Sequence, residues 1–166
     1  MDNQKTIQKT VCFTGHRTLN GKDNELIQKV FALIQKAVMK GYTHFICGGA
    51  VGFDMICAKQ VILYKSMFND GIIPMRPVTL EIAVPCCDQD KKYSNAQKKR
   101  YAYILKKADK VSMRPLPYHR YCMKWRNQYM VGESALVIAY YVDGRTGGTK
   151  QTLEMAEQAG REIWFV

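Results

Sequence analysis

Four short stretches bearing glycine or arginine stand out in this chain: Thr14-Gly15-His16-Arg17, Gly48-Gly49-Ala50-Val51-Gly52-Phe53-Asp54, Arg126-Asn127 and Gly147-Gly148-Thr149. Glycine lets a backbone come close to a ligand, and the free N–H groups at a following helix start attract phosphate. Arg17 can clamp a phosphate with two N–H groups, and His16 can donate to one. Asp54 can cap a helix or accept hydrogen bonds from ribose hydroxyls. Thr149 offers an N-cap or a hydroxyl for phosphate. Each stretch also has an architectural reading, as a tight turn or a surface charge. Together they point to recognition of a phosphorylated, nucleotide-like small molecule.

Bond-breaking chemistry has fewer candidates. The histidines are His16, His44 and His119, and the carboxylates near the turns are Asp54, Glu133 and Asp143. No nucleophile, base and orienting group can be picked out together. Asp88 and Asp90 stand among lysines and read as surface charges. The glycine run at 48–54 follows a strand and precedes a helix, as a phosphate turn must, but it is neither the G-x-G-x-x-G fingerprint nor a P-loop. A binder that senses or sequesters its ligand is therefore expected, needing no separate cofactor. The alternative is a hydrolase of a nucleotide N-glycosidic bond, with Asp54, Glu133 or Asp143 as acid or base.

The elements that position these stretches alternate. Strands are expected over Lys9 to Thr14, Thr43 to Cys47, Val78 to Val84, Asp109 to Met113, Ala135 to Tyr140 and Glu162 to Val166. Helices are expected over Asp23 to Lys40, Phe53 to Tyr64, Ser94 to Ala108, Tyr121 to Val131 and Lys150 to Ala159, with Asn69 to Pro77 as a connector. Ala135 to Tyr140 is near-continuously apolar, as in an inner parallel strand covered on both faces. Such alternation predicts an α/β fold: a Rossmann-like three-layer sandwich whose sheet is mostly parallel with about six strands, in one domain over 1–166. Three of the glycine turns then fall at carboxyl ends of strands, where open α/β sheets bind ligands.

At 166 residues, 47% hydrophobic and 23% charged, the composition is that of a folded soluble domain. The polar start of the chain lacks the apolar core of a signal peptide, and no run approaches the length of a membrane span, so a cytoplasmic location is expected. No Cys-x-x-Cys pair occurs among the six cysteines, so no metal site is expected; Cys12 and Cys47 read as small hydrophobes in a reducing compartment. The formal net charge of +11 is the unusual global quantity. Lysines at 91–92, 98–99 and 106–107 recur about every seven residues and could share a helix face. The basic residues read as lacking the aromatic–basic interleaving of single-strand binders, so nucleic acid ranks below a small-molecule partner.

In chain order, these motifs resemble those of the SLOG superfamily, the group joining the DNA-processing protein A Rossmann domain to the lonely guy cytokinin-activating enzymes. The YpsA-like branch is most similar. The matching pieces run from Phe13-Thr14-Gly15-His16-Arg17 and the 48–54 turn through Pro85-Cys86 with Gln89, Arg100-Tyr101 with Ile104-Leu105, and Ala108-Asp109-Lys110-Val111. Arg126-Asn127 with Tyr129-Met130-Val131 and Gly147-Gly148-Thr149 complete them. The resemblance implies a Rossmann-like fold and a pocket for a nucleotide or an ADP-ribose-like molecule. It nominates Gly15, His16, Arg17, Gly48, Gly49, Gly52, Asp54, Arg126, Asn127, Gly148 and Thr149, to which chemistry adds Thr14, Ala50 and Gly147. It also makes pairing into a homo-oligomer plausible. Two departures stand out. Thr152 holds the place of the lonely guy catalytic glutamate, with Glu154 two residues late. Gly132 and Ala135 replace aspartates of the YpsA-like pattern, with Glu133 between them.

Overall fold

Residues 6–166 are described by the computed structural model. Six strands form one sheet: β1 (Thr10–Gly15), β2 (His44–Cys47), β3 (Thr79–Val84), β4 (Lys110–Met113), β5 (Leu136–Tyr140) and β6 (Glu162–Phe165). Every pairing is parallel, and the order is β4-β3-β2-β1-β5-β6. Helices α1 (Asp23–Met39), α2 (Phe53–Asn69), α3 (Asn95–Lys107), α4 (Cys122–Gly132) and α5 (Gly148–Gln158) connect them. The chain builds outward from β1 to β4, then returns through α4 to lay β5 on the other flank of β1. Right-handed crossovers place α1, α2 and α3 on one face, and the reversal of direction places α4 and α5 on the other. The result is a Rossmann-like α/β fold of three layers.

The pleat sends alternate side chains to opposite faces. Val11 and Phe13, Phe45 and Cys47, Leu80 and Ile82, and Leu136 and Ile138 join the large core under α1, α2 and α3. Cys12, Ile46, Ala83 and Val137 face the other way, meeting Met130, Val131 and Ala156 in a much smaller core. Fully burying one Phe, Ile or Leu side chain contributes about 1.5–3 kcal/mol, so the first face dominates stability. Asp109, just before β4, fastens the frame: its carboxylate accepts the Leu80 N–H at 2.7 Å and the Lys65 ammonium at 2.5 Å.

Element boundaries follow the sequence pattern within a residue or two, with one larger difference. Helix α2 continues to Asn69, five residues past the expected stop at Tyr64. Met67 and Phe68 pack on the large core, and the Tyr64 hydroxyl donates to the Arg76 carbonyl, so the extra turn is held by tertiary contacts. Ser94 and Gln97 form a reciprocal capping box at the start of α3. Lys91 and Lys92 precede that box, so they do not share a helix face with Lys98, Lys99, Lys106 and Lys107. Five of the cysteines are buried and Cys87 is exposed; burial pushes the Cys12 thiol up to about 12, as befits a core hydrophobe. Among the described residues, no helix is long and apolar enough to cross a membrane.

Candidate functional site

β1 and β5 are hydrogen-bonded neighbours, yet the chain leaves them toward opposite faces of the sheet. Their carboxyl ends therefore part, opening a crevice at the point where strand order reverses. A cleft of about 390 Å³ occupies that crevice. Thr14, Gly15, His16 and Arg17 line it from the end of β1 and the turn after it, Ala50 from the turn before α2 and Asp54 from its first turn, Arg126 and Asn127 from α4, and Gly148 and Thr149 from the start of α5. Residues from all four motif stretches thus meet at one place.

The remaining glycines do a different job. Gly48 lies beneath the Arg126 guanidinium: a Cβ there would sit 2.1 Å from Arg126 Nη1 and 2.7 Å from an Asp54 carboxylate oxygen. Gly52 takes a φ of +84°, and a Cβ would lie 2.2 Å from the Arg17 carbonyl oxygen. Gly49 packs toward Tyr101, and its carbonyl accepts the Tyr93 hydroxyl at 3.1 Å. These residues shape the wall behind the cleft. Of the glycines in the four motif stretches, Gly148, near Asn127 alone, and Gly147 (φ +114°), the N-cap of α5, are unobstructed.

Arg126 is buried and donates to the Gly48 carbonyl and, at 2.7 Å, to the Asn127 side-chain oxygen. The Gly48 carbonyl also accepts from Gln89 Nε2 at 2.9 Å, and Gln89 in turn accepts the Tyr101 hydroxyl at 2.9 Å. Asp54 accepts the Ala50 N–H at 3.3 Å. Burial pushes the Asp54 carboxyl up, and Arg126, Ala50 and Arg17 oppose the rise without cancelling it. Burial likewise lowers the Arg126 pKa against the pull of Asp54. At His16, Nε2 accepts the Val142 N–H at 3.0 Å, so the neutral ring keeps its proton on Nδ1. Burial, with Arg145 nearby, holds this imidazole below its ordinary value. His16 is therefore a neutral strut between β1 and the loop after β5.

Electrostatically the cleft favours an anion. Arg17, Arg120, Lys124 and Arg126 line it, and Asp54 is the sole carboxylate among the described residues that do. The first turn of α5 carries no side-chain cap, and Gly148 and Thr149 line this basic crevice, so the N–H groups of that turn lack intrahelical partners beside it. Thr152 returns its hydroxyl to the Gly148 carbonyl at 2.7 Å, inside the helix. The other two acid candidates lie elsewhere. Glu133 caps α4 at the amino end of β5, a strand length from the cleft, roughly 16 Å at about 3.3 Å per residue. Asp143 is exposed and fronts a separate cleft with Lys150 and Glu154.

Arg120 and Lys124 were not among the nominated residues. The stretch 118–125 runs Tyr118, His119, Arg120, Tyr121, Cys122, Met123, Lys124, Trp125, so rings do alternate with cations here, contrary to the expected absence of interleaving. Arg114 stacks over the Trp125 ring at 4.4 Å, and Arg120 over Tyr121 at 4.4 Å. Behind them, Glu81 of β3 anchors α4. It is 1% exposed and accepts from Tyr129 at 2.7 Å, Ser112 at 2.6 Å, His44 at 3.0 Å and Lys110 at 3.2 Å. Burial alone would raise this carboxyl; the four donors outweigh it and hold the pKa at about 2.

A parallel sheet with a basic crevice at its switch point defines a Rossmann-like α/β protein. The model of the YspA SLOG family (YpsA) matches residues 11–164, and the chain belongs to that family. It is 28% identical over 155 residues to the uncharacterized SPbeta prophage-derived protein YoqJ of Bacillus subtilis, covering 84% of this chain and 86% of that protein. It is 26% identical over 145 residues to the UPF0398 protein BH1768 of Halalkalibacterium halodurans, covering 86% and 71%. In structure it is similar to DNA processing protein A of Streptococcus pneumoniae (TM-score 0.63, 20% identity, 99% of this chain). The chain spans about half of that protein, 51%. It is also similar to DNA processing protein A of Helicobacter pylori (TM-score 0.64, 16% identity, 99% of this chain and 67% of that one), a structure described for its single-stranded DNA binding mode.

Proposed function

We propose that the chain binds a phosphorylated, nucleotide-derived small molecule, of the ADP-ribose kind, in the cleft between β1 and β5. The observation that carries this reading is the uncapped start of α5, with Thr149 beside it, facing Arg17, Arg120 and Lys124. A phosphate there accepts the orphan N–H groups, and Asn127 and Asp54 offer polar contacts to a sugar. Asp54 already accepts the Ala50 N–H, and among the described residues no second carboxylate lines the cleft to share acid and base roles with it. The expected result is therefore binding without cleavage. Calorimetry with AMP and ADP-ribose tests it, alongside chromatography for released adenine. Saturable binding weakened by Arg120→Ala supports the reading, whereas catalytic release of base would replace it with the hydrolase.

A second reading, a single strand of nucleic acid, is favoured by the exposed rings of Tyr121 and Trp125, each beneath an arginine at the mouth of α4. The Helicobacter pylori relative described as binding single-stranded DNA supports the same idea. It predicts oligonucleotide affinity that falls steeply with salt and is reduced by Trp125→Ala; a flat salt response dismisses it.

A further inference from the structure

A second and larger cleft, of about 710 Å³, opens on the far side of Arg17. It shares only Arg17 and Met123 with the first. Its walls come from Val51 of the glycine turn, the stretch after β3, the start of α3 and the approach to α4.

These walls combine cations with aromatic and apolar surface. Lys91 and Lys92, both exposed, stand with Arg17 as three cations. Among the described residues Asp88 is the one carboxylate lining it, and it accepts the Tyr118 N–H at 2.7 Å. Tyr93 is fixed: its hydroxyl donates to the Gly49 carbonyl, and its ring meets Tyr101 edge-on with centroids 5.6 Å apart. Tyr118, 60% exposed, forms a looser wall. A held ring, an exposed ring and apolar Val51 and Met123 give a base surfaces to rest on, while the cations suit its phosphate.

Small-molecule pockets run about 300–1,000 Å³, so the first cleft is sized for one nucleotide and the second adds room for another. We propose that the ligand carries two nucleoside units joined through phosphate, with the bridge at Arg17 and one nucleoside in each cleft. This rests on the reading of the first cleft as a nucleotide site. A free dinucleotide and a stretch of nucleic-acid strand share this chemistry.

The test is calorimetry on the full chain with AMP, a pyrophosphate-linked dinucleotide and a short single-stranded oligonucleotide. The wild type, the Lys91→Ala/Lys92→Ala double variant, Tyr118→Ala and Arg120→Ala are compared. All four side chains are exposed, so the fold is expected to persist, and circular dichroism checks that. The expected result is a bridged ligand that binds at least about tenfold tighter than AMP, as linked half-sites allow. The double variant and Tyr118→Ala remove that advantage and leave AMP binding intact. An advantage confined to the dinucleotide identifies the free molecule, and one confined to the oligonucleotide identifies the strand. A bridged ligand no tighter than AMP, or indifferent to the second-cleft variants, overturns the two-cleft proposal while Arg120-dependent AMP binding keeps the first cleft. Loss of all AMP binding in the wild type overturns the underlying nucleotide reading as well.

Discussion

A methyl group on Gly48 and one on Gly52 would meet different obstacles, and the two substitutions are expected to fail differently. At Gly48 the obstacle is the end of the Arg126 side chain and the Asp54 carboxylate, both able to shift. Gly48→Ala should keep the fold but dislodge Arg126 from the Gly48 carbonyl, lowering affinity for a phosphorylated ligand about tenfold, or about 1.4 kcal/mol. At Gly52 the obstacle is the Arg17 backbone, and the left-handed φ disfavours any Cβ. Gly52→Ala should destabilise the protein by about 2–4 kcal/mol. Denaturant unfolding and calorimetry on both variants separate the two effects; equal loss of stability would contradict the assignment. The glycine spacing was legible in the sequence, and so was the gathering of Arg17, Arg126 and Thr149. What could not be read is that Gly48 and Gly52 are spaces for Arg126 and Arg17, because those contacts arise only when β1, β2 and α4 converge.

At the level of elements, α4 is the piece that sequence describes least well. It carries Arg126 and Asn127 into the cleft, yet its apolar pattern is weak, and much of its attachment is polar. Tyr129 reaches the Glu81 carboxylate on β3, a residue that reads in sequence as one charge interrupting an apolar strand. Strands and the remaining helices follow from local hydrophobic runs; the Glu81 cluster joins Glu81 to residues 29 to 48 positions away and has no local signature. It does have a pH signature. The Glu81 carboxyl sits at about 2 in the folded chain, below the ordinary 4.5. Its ionised form therefore stabilises the fold above about pH 4.5, and that contribution, about 2 kcal/mol, is lost as pH falls toward 2. Thermal unfolding between pH 6 and pH 3 checks this: Glu81→Gln should start less stable and lose less on acidification. A parallel decline in both proteins would assign the acid sensitivity elsewhere.

Across the whole molecule, excess positive charge and the switch-point crevice act together. A net charge of +11 draws anions toward the surface, and on the proposed reading the uncapped start of α5 offers one of them its free N–H groups. The likeness to the DNA processing proteins covers 99% of the chain, and Arg120 and Lys124 lie in the passage into α4 that borders the crevice. The unequal cores carry a dynamic consequence. With a broad apolar core under α1, α2 and α3 and only a narrow one beneath α4 and α5, the two layers need not open at the same free energy. Amide hydrogen exchange should see α4 and α5 exchange first, through partial opening that leaves α1 and α2 protected. A ligand held between β1, α4 and α5 would close that opening selectively. Exchange slowed in α4 and α5 alone would mark it as a clasp, shutting on the molecule it binds.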